Sequence, residues 1–385
     1  MEFDIANNEI AKSRRRLEEQ KLGRGVLTFV VGLQYGSEAK GSIVQHLAPG
    51  ESIAVRTGAS NAGHTIYYEG QPFVMRQIPG AWINPNTQLV IGAGALISPK
   101  VLEAEIRNIE NTGIQIRDRL IIDANAHVIT EDQIVEESKD DLAERIGSTS
   151  ARNREGIGRA MADKVLRVAR CVQVKNFGPL KEYEFDTVEY INDALENGIN
   201  VIAEGTQGFS LSPDFGDFPY CTSRNATVSA LADSMGVNPT RYNSSVIGVA
   251  RSFPIRVAGN SGPFAPDSRE LTWSDMKHIT GNKKLKPEKT SVTGLDRRIA
   301  TFSKDQYKKA CRVNGVDEVA LTFADYIDRS VYMSDTIYGS AKVINFINRL
   351  ETWYPDALVT LVNTGPNSTI DLDVCRAGRL RQLSL

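Results

Sequence analysis

Eight short apolar runs set the first constraint on this chain: Val26–Leu33, Ile53–Arg56, Leu89–Ile91, Leu120–Asp123, Val201–Ala203, Val246–Val249, Val319–Phe323 and Leu358–Val362. Several are rich in Val and Ile and continuous rather than alternating, the pattern of strands buried on both faces of a parallel sheet. Helix-like segments lie between many of them, including Pro99–Asn111, Gly158–Val168, Thr187–Asn197 and Ala226–Met235. The last two stop just before a glycine, as helices often do. This alternation predicts an α/β fold with a large, mostly parallel central sheet and flanking helices. We expect residues 26–385 to form one such domain, with an excursion around 258–289 and a charged N-terminal extension over 1–25.

Composition excludes several function classes. Of 385 residues, 41% are hydrophobic and 24% charged, and disordered chains fall well below that apolar share. Lys and Arg number 45 against 47 acidic residues, so no overall basic field holds a nucleic acid. Cys171, Cys221, Cys311 and Cys375 lie far apart with no C-x-x-C pair, which suggests neither a zinc ribbon nor a disulfide framework. No apolar run reaches the roughly 18 residues of a membrane span. The amino terminus is charged where a signal peptide needs an apolar centre. A cytoplasmic protein with neither membrane nor nucleic-acid partner is expected.

In doubly wound folds ligands gather at the carboxyl ends of the strands, and there the chain is polar and glycine-rich. GLQYGSEAKGS follows Val31, VRTGASNAGHT follows Ala54, EGTQG follows Ala203, TFADYID follows Leu321, and NTGPN follows Val362. Gly36 and Gly41 frame Lys40 in a loop whose amides and lysine suit phosphate, although Ala39 before Lys40 breaks the P-loop pattern. Such a glycine turn also occurs as a purely structural element. His64, in Asn61-Ala62-Gly63-His64-Thr65, has a ring suited to a phosphoryl or carbonyl oxygen near pH 7, or simply to the local backbone. Gln207 both donates and accepts, as a purine edge requires. Arg297 and Arg298 beside the Thr293-Gly294 turn suit a carboxylate or phosphate, or a solvated charge pair.

Together the segments GLQYGSEAKGSIVQHL, SNAGHTI, GALISP, GIGRAMADKV, EGTQGFSL, YCTSRN, RVAGNSGPF, TGLDRR, LTFAD and NTGP resemble the adenylosuccinate synthetase family in order and spacing. The resemblance implies a P-loop-related fold, a homodimer and a two-step reaction. A triphosphate phosphorylates O6 of a purine monophosphate, and aspartate then displaces that phosphate. It further implies that Gly36, Glu38, Ala39, Lys40, Gly41, Gly63, His64 and Thr65 attend the triphosphate, with the Gly63 carbonyl on Mg²⁺ and His64 and Lys40 stabilising phosphoryl transfer. Asn61, Ser148 or Thr149, Thr222 and the partner-reaching Arg167 resemble ligands of the substrate 5′-phosphate. Gln207 would meet the purine edge, and Thr293, Leu295 and Arg297 would border ribose and aspartate. Asp325, Asn363, Gly365 and Pro366 would surround the base of the triphosphate.

Three departures sharpen the expectation. The family's G-D-E-G-K-G reads Gly36-Ser37-Glu38-Ala39-Lys40-Gly41 here, so Ser37 replaces the aspartate that takes the N1 proton. Serine is no such base, but it is smaller and can accept from the C2 amino group of guanine. Leu295 replaces an arginine near the ribose 2′-hydroxyl, which suits a deoxyribose. Phe323 replaces a lysine that helps recognise guanine in GTP, which makes ATP or dATP the expected donor. Ser37 and Leu295 resemble the viral branch of the family, the 2-aminoadenylosuccinate synthetases. The expected reaction joins L-aspartate to dGMP with ATP and Mg²⁺, releasing ADP and phosphate. The alternatives are the same ligation of IMP with GTP, and nucleotide binding without turnover.

Overall fold

The computed structural model describes residues 21–48, 52–141, 154–290 and 294–372. The apolar runs become β1 (Val26–Gly32), β2 (Ser52–Arg56), β5 (Thr87–Ile91), β6 (Leu120–Asp123), β8 (Val201–Gly208), β9 (Asn243–Arg251), β10 (Glu318–Thr322) and β11 (Leu358–Gly365). Between them lie the hairpin β3 (His64–Tyr68) and β4 (Gln71–Met75) and the short edge strand β7 (Glu184–Phe185); β12 (Ser368–Asp371) closes the other edge. The central sheet runs β7-β6-β5-β2-β8-β1-β9-β10-β11-β12. Every neighbouring pair is parallel except β11 and β12.

Both faces of this sheet are covered, which is why its strands read as unbroken apolar runs. On one face Leu27, Phe29 and Val31 pack against α3 (Thr187–Glu196), α4 (Val228–Met235), α5 (Lys304–Asn314) and α6 (Ala341–Trp353). On the other, Val30, Ala54 and Ile202 pack against Ile43 and Val44 of α1 (Lys40–Leu47). The alternation of Phe29 and Val30 follows the two-residue period of a strand. Burying a side chain such as Phe29 contributes about 1.5–3 kcal/mol. α2 (Pro99–Glu110) closes the β5–β6 end through Leu102, Ile106 and Ile109.

The stretch around 258–289 leaves the main sheet. Residues 255–256, 298–300 and 270–271 form a separate three-stranded antiparallel sheet, followed in space by the helix Trp273–Thr280. Thr272 and Asp275 start that helix as a capping box. Among the described residues no helix is long and apolar enough to cross a membrane, and Cys171, Cys221 and Cys311 are free thiols.

Candidate active site

The site begins where β1 ends, between its parallel neighbours β8 and β9. The chain leaves β1 through three left-handed residues, Gly36 (φ 85°), Ser37 (φ 58°) and Ala39 (φ 64°), and enters α1 at Lys40. Gly208 makes the approach to β8 possible, because a Cβ there would lie 2.2 Å from the Gly36 nitrogen. Ala39 carries a left-handed conformation that costs a non-glycine residue about 1–2 kcal/mol. Ala39→Gly removes that strain but adds freedom to the unfolded chain. The net expected result is about 0.5–1 kcal/mol of added stability, read as a higher urea midpoint.

Inside the loop the Glu38 carboxylate is wholly buried. Its Oε1 accepts from the Gln34 and Gly36 amides at 3.2 and 2.8 Å, and its Oε2 accepts from Lys40 Nζ at 2.7 Å. Sequence reasoning turned Glu38 and Lys40 toward a nucleotide; here they neutralise each other. A buried charge demands a partner, and each of the two supplies the other's.

Arg56 and Glu204 are register partners at the ends of β2 and β8. Arg56 Nη1 lies 3.2 Å from Glu204 Oε1, and its Nη2 donates to the Ala62 carbonyl at 2.5 Å. Glu204 also accepts from the Gly80 amide at 2.6 Å and pairs with His64 Nδ1. Burial pushes the Glu204 carboxyl up, but Arg56 and His64 outweigh it and hold the group below its ordinary value. An ionised carboxylate only accepts, so His64 Nδ1 carries the proton and Nε2 remains for a ligand.

Burial, with Arg56 and Lys40 nearby, pushes the His64 imidazole down to about 4 despite Glu204. The ring is therefore neutral at pH 7. Gly41 brings α1 onto β3, since a Cβ there would lie 2.9 Å from His64 Cβ. Gln207 donates its Nε2 to Asn61 Oδ1 at 3.5 Å. Gly63 is exposed and Thr65 half-buried at the start of β3.

Ser37 is exposed, and its carbonyl accepts from Arg251 Nη1 at 3.1 Å. Arg251 is fully buried, pairs with Glu288 at 2.5 Å and stacks 3.8 Å above the Phe323 ring. Tyr326 donates its hydroxyl to Glu288 at 2.9 Å. Burial raises Glu288, but Arg251 holds it below the usual carboxylate range. Phe323 is thus a packing partner of Arg251 and Tyr326. Leu295 is 45% exposed. Arg297 donates Nε to the Lys289 carbonyl at 3.1 Å.

At the ends of β10 and β11, Asp325 is pushed up to about 6 by burial, with Arg329 pulling the other way. Asn363 turns its amide nitrogen into the β11–β12 hairpin, donating to Gly365 and Ser368 carbonyls at 2.9 and 3.1 Å. Pro366 forms the exposed turn of that hairpin, so part of the expected base-binding loop is a strand connection. Thr222 anchors through its amide to the Leu211 carbonyl at 2.8 Å. Arg167 ends the helix Ile157–Leu166 in a left-handed conformation and is exposed beside Val165 and Leu166, which are 68% and 70% exposed. Ser148, Thr149 and Thr293 lie outside the described residues. Sequence reasoning missed Arg56, Glu204, Arg251, Glu288 and Arg224; the first two were legible only as opposite charges closing neighbouring apolar runs.

A parallel sheet with a glycine-framed lysine loop, facing a histidine held by a buried carboxylate, defines a nucleotide-dependent transferase or ligase site. The adenylosuccinate synthetase family pattern matches residues 29–178 and 172–333, and the chain belongs to that family. It is a carbon–nitrogen bond-forming ligase that joins a purine nucleotide and aspartate. It is 38% identical to the adenylosuccinate synthetase of Methanocaldococcus jannaschii over 90% of this chain and 96% of the relative. To that of Thermococcus sibiricus it is 35% identical over 88% and 95%. Among solved structures it resembles the succinoaminodeoxyadenylate synthetase of cyanophage S-2L, bound to dGMP and dATP. That match has a TM-score of 0.74 at 29% identity and covers 90% of this chain and 95% of that one. The fully ligated adenylosuccinate synthetase of Plasmodium falciparum shares the fold, with a TM-score of 0.74 at 20% identity over 89% and 99% of the two chains.

Proposed function

We propose that this ligase joins L-aspartate to C6 of dGMP through a 6-phosphoryl intermediate, with ATP or dATP as donor. The observation that carries the reading is Ser37, a small exposed hydroxyl on the phosphate loop at the position of the family's carboxylate. A neutral hydroxyl leaves room for the C2 amino group of guanine and accepts from it, whereas hypoxanthine offers no such group. The likeness to a cyanophage enzyme that binds dGMP and dATP supports the same reading. Leu295 adds an apolar wall suited to deoxyribose.

In this reaction Lys40 and His64 stabilise the charge that spreads over the transferring phosphoryl oxygens. Gln207 and Asn61 orient the purine edge. A Mg²⁺ would be held mainly by substrate phosphates, with the Gly63 carbonyl as a protein ligand. Such an ion would neutralise phosphate charge. Exposed Val165 and Leu166 beside Arg167 support a homodimer in which Arg167 serves the partner's site.

A second reading, ligation of IMP with GTP, is favoured by the higher identity to archaeal adenylosuccinate synthetases. Phosphate-release assays with aspartate, pairing dGMP or IMP with ATP, dATP or GTP, separate the two. Turnover of dGMP with an adenine triphosphate is expected; use of IMP without dGMP would reject the first reading.

A further inference from the structure

Among the described residues Arg224 pairs with no carboxylate. It lines a cleft together with Thr57, Thr206, Gln207, Asn225 and Ser234. Its one hydrogen-bond acceptor among the described residues is the Gly94 carbonyl, at 3.1 Å from Nη1. The charges that act on it or on which it acts are Arg56 and Lys164, both positive. The carboxylates nearby are engaged elsewhere: Glu204 with Arg56 and His64, and Asp233 facing Lys164. Burial and Arg56 together push the Arg224 guanidinium down to about 10, which is the signature of a charge held away from both water and a partner.

A guanidinium so placed calls for an anion with oxygens in a fork, and the surrounding hydroxyls and amides are suited to the remaining phosphate oxygens. Gln207, expected at the purine edge, lines the same cleft, which sets a purine-edge residue and a guanidinium around one space. Thr222, read from sequence as a 5′-phosphate ligand, lies two residues before Arg224.

We propose that Arg224 is a ligand of the 5′-phosphate of the purine monophosphate, a cation from within the chain that acts beside the one Arg167 would bring from the partner. This rests on the purine-nucleotide ligase reading but not on which purine is used. The phosphate is common to dGMP and IMP, and deoxyguanosine lacks it.

Calorimetric titration of wild type, Arg224→Gln and Arg224→Lys with dGMP, IMP and deoxyguanosine tests the assignment. Arg224→Gln is expected to weaken whichever monophosphate the wild type binds by about 10- to 100-fold. Arg224→Lys, which keeps the charge but loses the fork, falls between. Deoxyguanosine binding and the KM for aspartate stay at wild-type values. Equal weakening for deoxyguanosine, unchanged monophosphate binding, or a loss confined to the aspartate KM would each overturn the assignment. If Arg224→Gln does not fold, the same comparison is read from Arg224→Lys. A wild type that binds IMP and not dGMP, with IMP weakened in the variants, would sink the base reading while supporting this one.

Discussion

A His64→Asn variant is expected to turn over about 10²- to 10⁴-fold more slowly than the wild type, with nucleotide affinity changed far less. His64 Nδ1 is committed to Glu204, so Nε2 is the ring atom left for a phosphoryl oxygen. Burial, Arg56 and Lys40 push the ring down to about 4 and hold it neutral at pH 7. An arriving triphosphate would bring negative charge that opposes this balance, and the ring is expected to gain a proton as the nucleotide binds. Calorimetry near pH 7 in buffers of different ionisation enthalpy should show that uptake in the wild type and not in His64→Asn.

Acid unfolding offers an independent readout of the same residue. The folded-state value of about 4 lies below the ordinary 6.5, so between these pH values the unfolded chain binds the extra proton. His64 therefore adds stability that is complete above pH 6.5 and is lost as the pH falls toward 4. Glu204, also lowered, adds stability that is present above its ordinary carboxylate value and lost as the pH drops through its folded value. Denaturation of His64→Asn should lack the slope between pH 6.5 and 4 and keep the more acidic one. A wild-type slope retained in the variant would show that His64 is not buried neutral.

The eight central strands were legible because each is sealed on both faces and reads as one apolar run. The edge strands Glu184–Phe185 and Ser368–Asp371 were not, since short edge segments carry too little apolar sequence to stand out. The same logic divides the site. Gly36, Lys40, His64 and Gln207 announce themselves as polar chemistry in loops after strands. Arg56 and Glu204 do not, because each looks like the polar end of an apolar run until the β2–β8 register sets them side by side. Glu38 and Lys40 were legible as loop residues, but their pairing follows from burial, which the sequence does not encode locally. Asn363 and Pro366 follow a strand as ligand residues do, and the antiparallel edge strand into which the chain turns there left no such mark in the sequence.

Ser37→Asp should reverse the purine preference. The left-handed backbone at position 37 is one that aspartate tolerates better than most residues, so the substitution needs no refolding of the loop. Arg251, whose Nη1 already reaches the Ser37 carbonyl at 3.1 Å, would keep a new carboxylate there ionised. That group can take the N1 proton of hypoxanthine, and a positioned general base is worth about 10²- to 10⁴-fold. IMP turnover is expected to rise accordingly. With dGMP the carboxylate occupies the space of the C2 amino group, so turnover falls and the ratio of kcat/KM for the two substrates inverts. Steady-state assays of both nucleotides with the wild type and Ser37→Asp measure that ratio. An unchanged ratio would mean that residue 37 does not face the purine edge, and the dGMP reading would fall with it.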